Sequence, residues 1–153
     1  IGFDAPSREV WVDEFTDSKF CLVLRGDSPN SHALLRSVRA GCLPIIISDT
    51  YPIYNPALLS SLDMDDFAFF IPEQSFLRDP KGELLKFASL SNQAIYEKIQ
   101  GVRLAQRILL PDHPQSLMVP ALIKEVLATN QPDYLSKALT RAKAILARNN
   151  ITS

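Results

Sequence analysis

"FCLVLRGDSPNSHALLRSVRAGCLPIIISD", residues 20–49, is the stretch whose reading decides the fold. It holds two unbroken apolar runs, Phe20–Leu24 and Leu43–Ile47, the second rich in β-branched residues. Short continuous apolar runs predict strands covered on both faces, as in a parallel sheet. Between them Leu34, Leu35 and Val38 form an apolar stripe at i, i+1 and i+4, which predicts a helix over residues 31–40. Ser31 stands where a cap is wanted, and Gly41 where such a helix stops. Strand, helix and strand within about 30 residues make a right-handed βαβ unit.

A third apolar run, residues 67–71, follows a loop holding Pro52 and Pro56. At least three strands can therefore join one parallel sheet covered by helices, an α/β, Rossmann-like arrangement. Ile95, Ile99, Val102, Gln106 and Leu109 then predict a helix over residues 93–110 that stops at Pro111, with one polar position in its stripe. Val119, Leu122, Ile123, Val126 and Leu127 mark a further amphipathic helix. Asp133 can cap the last, whose stripe includes Leu135, Ala138, Leu139, Ala142, Ile145 and Leu146. Its Lys137, Arg141, Lys143 and Arg148 read as a solvated face. The chain thus divides into a leading segment, 1–18, with one helical turn, an α/β domain, 19–112, and C-terminal helices, 113–153, packed on that domain or trailing it.

At 153 residues, 46% hydrophobic and 22% charged, the chain has the size and composition of one globular domain. A net charge of -1 gives no general pull toward nucleic acid, so any anion site is local. No apolar run approaches the roughly 18 residues of a membrane span. Nor does a charged-then-apolar leader open the chain. Cys21 and Cys42 are too few for a disulfide framework and lack metal-ligand spacing. They read as two buried thiols, with a bridge between neighbouring strands as the alternative in an oxidising lumen.

In an open parallel sheet, ligands bind beyond the carboxyl ends of the strands. Three polar strand ends meet there: residues 25–31, Ser48-Asp49-Thr50 and Pro72-Glu73. Gly26 permits close approach of a ligand or a positive φ, Ser28 and Ser31 supply hydroxyls, and the start of the helix directs free N–H groups at the loop. Arg25 adds a planar cation suited to phosphate, while Asp27 is placed to hold the loop or accept from a hydroxyl. Gly-Asp-Ser-Pro is also ordinary turn chemistry, and Ser an ordinary cap, so the local pattern leaves both readings open. It is neither a P-loop nor G-x-G-x-x-G. Asp63-Met64-Asp65 has the spacing of a metal-binding carboxylate pair but precedes a strand, so no metal is expected there.

Phe20-Cys21-Leu22-Val23, Arg25-Gly26-Asp27-Ser28-Pro29, Ser31, the run Gly41-Cys42-Leu43-Pro44-Ile45-Ile46-Ile47-Ser48-Asp49, and Phe67 with Pro72-Glu73 together resemble the exostosin family of glycosyltransferases (family 47). The resemblance is close over residues 18–73 and loose beyond. It implies the C-terminal, donor-binding half of a two-domain GT-B enzyme that transfers a hexose or pentose with inversion. By position, Arg25, Gly26, Ser28 and Ser31 would line the diphosphate, Asp49 would sit near the donor sugar or hold the site in shape, and Glu73 would accept from the ribose hydroxyls. The nucleotide-sugar donor, a UDP-sugar by resemblance, is a substrate, and no resident cofactor is implied. The glycan acceptor and the base would come through an N-terminal half, so this stretch alone would be inactive. Golgi location as a type II membrane protein is implied in the same way, with no anchor in these residues. The helix departs from the family's pattern: His32-Ala33-Leu34-Leu35-Arg36-Ser37 has no Arg in its first turn, and His32 is the substitute donor at the helix start. Two alternatives stand beside this reading: another nucleotide-binding α/β domain, and a non-catalytic interaction domain using the helices of residues 119–148.

Overall fold

The structure, a computed structural model, describes residues 7–26, 32–54 and 60–149. The order is α1 (Arg8–Asp17), β1 (Phe20–Leu24), α2 (His32–Ala40), β2 (Leu43–Ile47), α3 (Tyr51–Tyr54), α4 (Met64–Phe67), β3 (Phe69–Ile71), α5 (Glu73–Arg78), α6 (Pro80–Ala88), α7 (Asn92–Leu109), α8 (Met118–Thr129) and α9 (Tyr134–Arg148). The three strands form one parallel sheet in the order β1-β2-β3, which is the α/β arrangement the sequence predicts.

Strand alternation sorts the sheet into two faces. On one, Val23, Ile46 and Phe70 meet Leu34 and Val38 of α2 and Val102, Ala105 and Ile108 of α7. Ile145 and Leu146 of α9 join the same core. On the other, Ile45, Ile47 and Ile71 meet Phe76 of α5 and Leu84 and Phe87 of α6. Phe69 and Phe87 pack edge to face there, ring centroids 5.1 Å apart.

α2 ends in a Schellman turn: Cys42 N–H donates to Ser37 O and Gly41 N–H to Val38 O, with Gly41 at φ 80°. The Gln106 amide donates to the Val38 carbonyl at 2.9 Å, which explains the one polar position in the stripe of α7. α7 also comes close to α4. A methyl on Gly101 would run into the Asp66 carbonyl, and Lys98 Nζ donates to the Ala68 carbonyl at 2.8 Å and to that of Asp65.

Several expectations are corrected. Cys21 and Cys42 are joined in a disulfide, Cα atoms 5.8 Å apart, because the parallel register sets Cys21 diagonally across from the residue just before β2. β1 is only partly covered on its second face: Phe20 packs against Phe87 of α6, while Leu22 and Leu24 are 39% and 50% exposed. Of the third apolar run, 67–71, Phe67 instead closes the helical turn α4, capped by Asp63 accepting from Asp65 N–H at 3.1 Å, which leaves β3 only Phe69–Ile71. The leading segment holds a ten-residue helix, α1, where one turn was expected. The tail is not simply solvated, as Arg148 pairs with Asp65 at 2.8 Å and Arg141 lies 3.9 Å from Asp63. Val119, Leu122, Ile123, Val126 and Leu127 do form one stripe of α8, but the stripe faces outward and Ala121 is the buried contact. Glu125 holds that orientation, accepting from Ser60 N–H at 2.9 Å and from the Tyr134 hydroxyl.

Two stability predictions follow from this packing. Gly101→Ala gains helix propensity of about 1 kcal/mol but meets backbone, so a net loss of about 2 kcal/mol is expected in urea unfolding. Reducing the disulfide, which spans a sequence separation of 21, should lower the unfolding free energy by about 3 kcal/mol. Thiol labelling before and after reduction checks that the bond was present.

Candidate functional site

Each strand delivers one charged residue to the same edge. Arg25 directly follows β1, Asp49 lies just beyond β2, and Glu73 opens α5 after β3. The parallel register makes this convergence unavoidable, since all three carboxyl ends point one way.

Asp49 and Glu73 clasp each other reciprocally. Glu73 N–H donates to Asp49 Oδ1 at 2.9 Å, and Asp49 N–H donates to Glu73 Oε1 at 3.1 Å. The two loops are thereby locked in register by charge-assisted hydrogen bonds. Arg25 Nη1 lies 3.6 Å from the same Oε1, with its side chain 56% exposed and that of Glu73 25% exposed. Glu73 Oε2 takes no hydrogen bond among the described residues. The site therefore offers an exposed guanidinium beside a carboxylate with acceptor capacity to spare.

Other candidate residues are less fully placed. His32 is the first residue of α2 and is exposed, at a helix end that carries partial positive charge. Gly26 does not use a positive φ, and a Cβ there would meet nothing within 4 Å. Asp27, Ser28 and Ser31 lie outside the described residues. Ser48 is buried at the end of β2, its hydroxyl unpartnered among the described residues, and sequence reasoning assigned it nothing. The pairing of Arg25 with Glu73 was also missed. Sequence reasoning sent the two groups to different parts of a ligand, and only opposite charge at two strand ends hinted that they meet.

The Asp63-Met64-Asp65 triplet is engaged elsewhere. Asp63 caps α4 and Asp65 receives Arg148. Burial raises the Asp65 carboxyl above the usual range against the pull of Arg148 and Lys98, and burial lowers the Lys98 ammonium. Among the described residues no group of His, Cys, Asp and Glu could hold a metal. His113 accepts from Gln115 N–H at 3.1 Å through Nδ1, and Asp112 accepts from Arg39 at 3.0 Å, so both are occupied in their loop. A cavity of about 550 Å³ beside α9, lined by Ser60, Tyr134, Lys137 and Arg141 among others, shares no residue with the strand-end cluster.

The geometry separates two contributions. Asp49→Ala strips the Glu73 N–H of its acceptor and should cost about 1–2 kcal/mol in urea unfolding. Arg25→Ala removes only an exposed ion pair and should change stability by no more than about 0.5 kcal/mol.

Comparison with known proteins agrees with this arrangement. The Exostosin GT47 domain matches residues 4–86, a stretch that holds all three strands and the whole strand-end cluster. Over 78 residues the chain is 30% identical to the exostosin-1 homolog of Caenorhabditis elegans, a match covering 51% of this chain and 20% of that protein. The matched segment thus spans about a fifth of that relative. α7, α8 and α9 lie beyond the family match. With more than half of its length inside that domain, the chain belongs to the exostosin GT47 family of glycosyltransferases.

Proposed function

We propose that the strand-end cluster binds the nucleoside diphosphate part of a sugar donor, and that the chain is the donor-binding part of an inverting GT-B glycosyltransferase that extends a glycan. The observation that carries this reading is the Asp49–Glu73 clasp with Arg25 beside it. Arg25 leaves Glu73 when a diphosphate offers two charges in place of one, and its planar fork suits phosphate oxygens. Glu73, held by Asp49, then accepts from the ribose hydroxyls through Oε2. His32 and the first N–H groups of α2 add donors at the phosphates. Ser28 and Ser31 of the turn are assigned the same role, with Gly26 leaving room for the ligand and Asp27 holding the turn.

Two requirements remain for inverting transfer: a base for the acceptor hydroxyl and stabilisation of the departing diphosphate. Arg25 and the α2 start supply the second. The base is assigned to an acceptor-binding half, so residues 1–153 alone transfer little or nothing. The disulfide suits an oxidising lumen, in keeping with a Golgi enzyme. A second reading, a non-catalytic domain that docks a partner through residues 119–148, is favoured by the outward stripe of α8.

Calorimetric titration with UDP and GDP tests the first reading. Saturable binding of one of them, weakened about tenfold or more by Arg25→Ala, is the expected result, since losing a charge-assisted contact costs about 1.5–3 kcal/mol. Wild-type protein that binds neither diphosphate would refute the donor assignment for this chain.

A further inference from the structure

We infer that Asn150 is a modification site: it carries an N-linked oligosaccharide, attached just past the end of α9 in an oxidising lumen. The inference rests on the disulfide and on residues 147–152, not on the donor reading.

Of the asparagines at 30, 55, 92, 130, 149 and 150, only Asn150 has a hydroxyl residue two positions on, in Asn150-Ile151-Thr152. That is the acceptor pattern for asparagine glycosylation, and Ile151 keeps it open where a proline would close it. Such a tripeptide arises often by chance, so the compartment decides whether it is used. The Cys21–Cys42 bond supplies the compartment. Disulfides persist in secreted and luminal proteins and are rare where the cytosol keeps thiols reduced. Residues 150–152 also lie beyond the family match, which ends at residue 86, so the acceptor is read from this chain alone.

The end of α9 sets the two adjacent asparagines apart. Asn149 closes the helix: its N–H donates to the Ile145 and Leu146 carbonyls, both at 3.2 Å, and its side-chain amide donates to the Ile145 carbonyl at 2.8 Å. That amide is engaged in the cap, and Asn150 is the first residue past it. Ala147 and Arg148 are exposed in the last turn, so a bulky polar group joined next to them meets solvent and not core. Arg148 and Asn149 border a groove of about 390 Å³ with Phe69, Phe87 and Leu90, which among the described residues leaves room for sugar at this end of the helix. The Arg148–Asp65 pair at 2.8 Å holds the same turn against α4, so the attachment point has a fixed base.

The co-reactant is an oligosaccharide joined to a lipid pyrophosphate. Asn150 Nδ2 forms a bond to the anomeric carbon and gives up one proton. The bond from that carbon to the pyrophosphate oxygen breaks, and the lipid pyrophosphate leaves with the electron pair. No oxidant or reductant is needed.

Mass spectrometry of the natural polypeptide that contains these residues, recovered from its own source, tests the inference. The peptide holding Asn150 should carry a glycan that peptide N-glycosidase removes, leaving Asp at position 150. In a eukaryotic secretory host, Asn150→Gln and Thr152→Ala should each abolish the added mass. Thr152→Ser should keep it, since serine also fits the pattern, and Asn149→Gln should keep it too. An unmodified Asn150 in the natural protein would overturn the inference. Free thiols at Cys21 and Cys42 in that protein would do the same, because the chain would then have folded outside the lumen. Added mass that survives Asn150→Gln would place the glycan elsewhere and overturn it as well.

Discussion

All five residues of β2 are buried. That constraint organises the rest. A strand of Leu, Pro and three Ile needs a hydrogen-bonded neighbour on each edge and a helical layer on each face. β1 and β3 meet the first need, α2 with α7 and α5 with α6 the second. Pro44 cannot donate to a ladder, yet it is tolerated near the start of the strand, where the disulfide adds a covalent tie between the same two neighbours.

The candidate site is a by-product of that geometry. Parallel strands carry their carboxyl ends to one edge, so Arg25, Asp49 and Glu73 are brought together by the core and not by affinity for each other. Their mutual bonds then hold the cluster together, one cation against two carboxylates. The proposed donor reading gives the same groups a second use, toward anionic phosphate and donor hydroxyls. Asp49 acts through Glu73, holding its backbone and its carboxylate in one orientation.

The C-terminal helices are tied in by different means. α9 places Ile145 and Leu146 in the core and reaches the acidic residues at the start of α4 with Arg148 and Arg141. α8 makes less of an apolar contact, burying Ala121 while Glu125 and Tyr134 anchor its side. These helices lie beyond the family match, which ends at residue 86.

Much of this was legible in the residues. β1 and β2 begin and end as the apolar runs do, α2 stops at Gly41 as its glycine requires, and all three charged strand ends were identified from position alone. The family too was recognisable from the runs around Gly26 and Gly41. Other features were not, for physical reasons. Apolar character cannot separate the helical turn at Met64–Phe67 from a strand, because both bury Phe67 equally well. Periodicity shows that α8 has two faces but not which one meets the core. Cysteine spacing says nothing of register, and register is what joined Cys21 to Cys42. Local sequence thus determined which segments are strands and helices and what each strand end carries, since turn chemistry and apolar spacing act over a few residues. Only the tertiary structure decided which charges meet, Arg25 with Glu73 and Arg148 with Asp65, and which apolar faces stay open, because both depend on how distant elements pack.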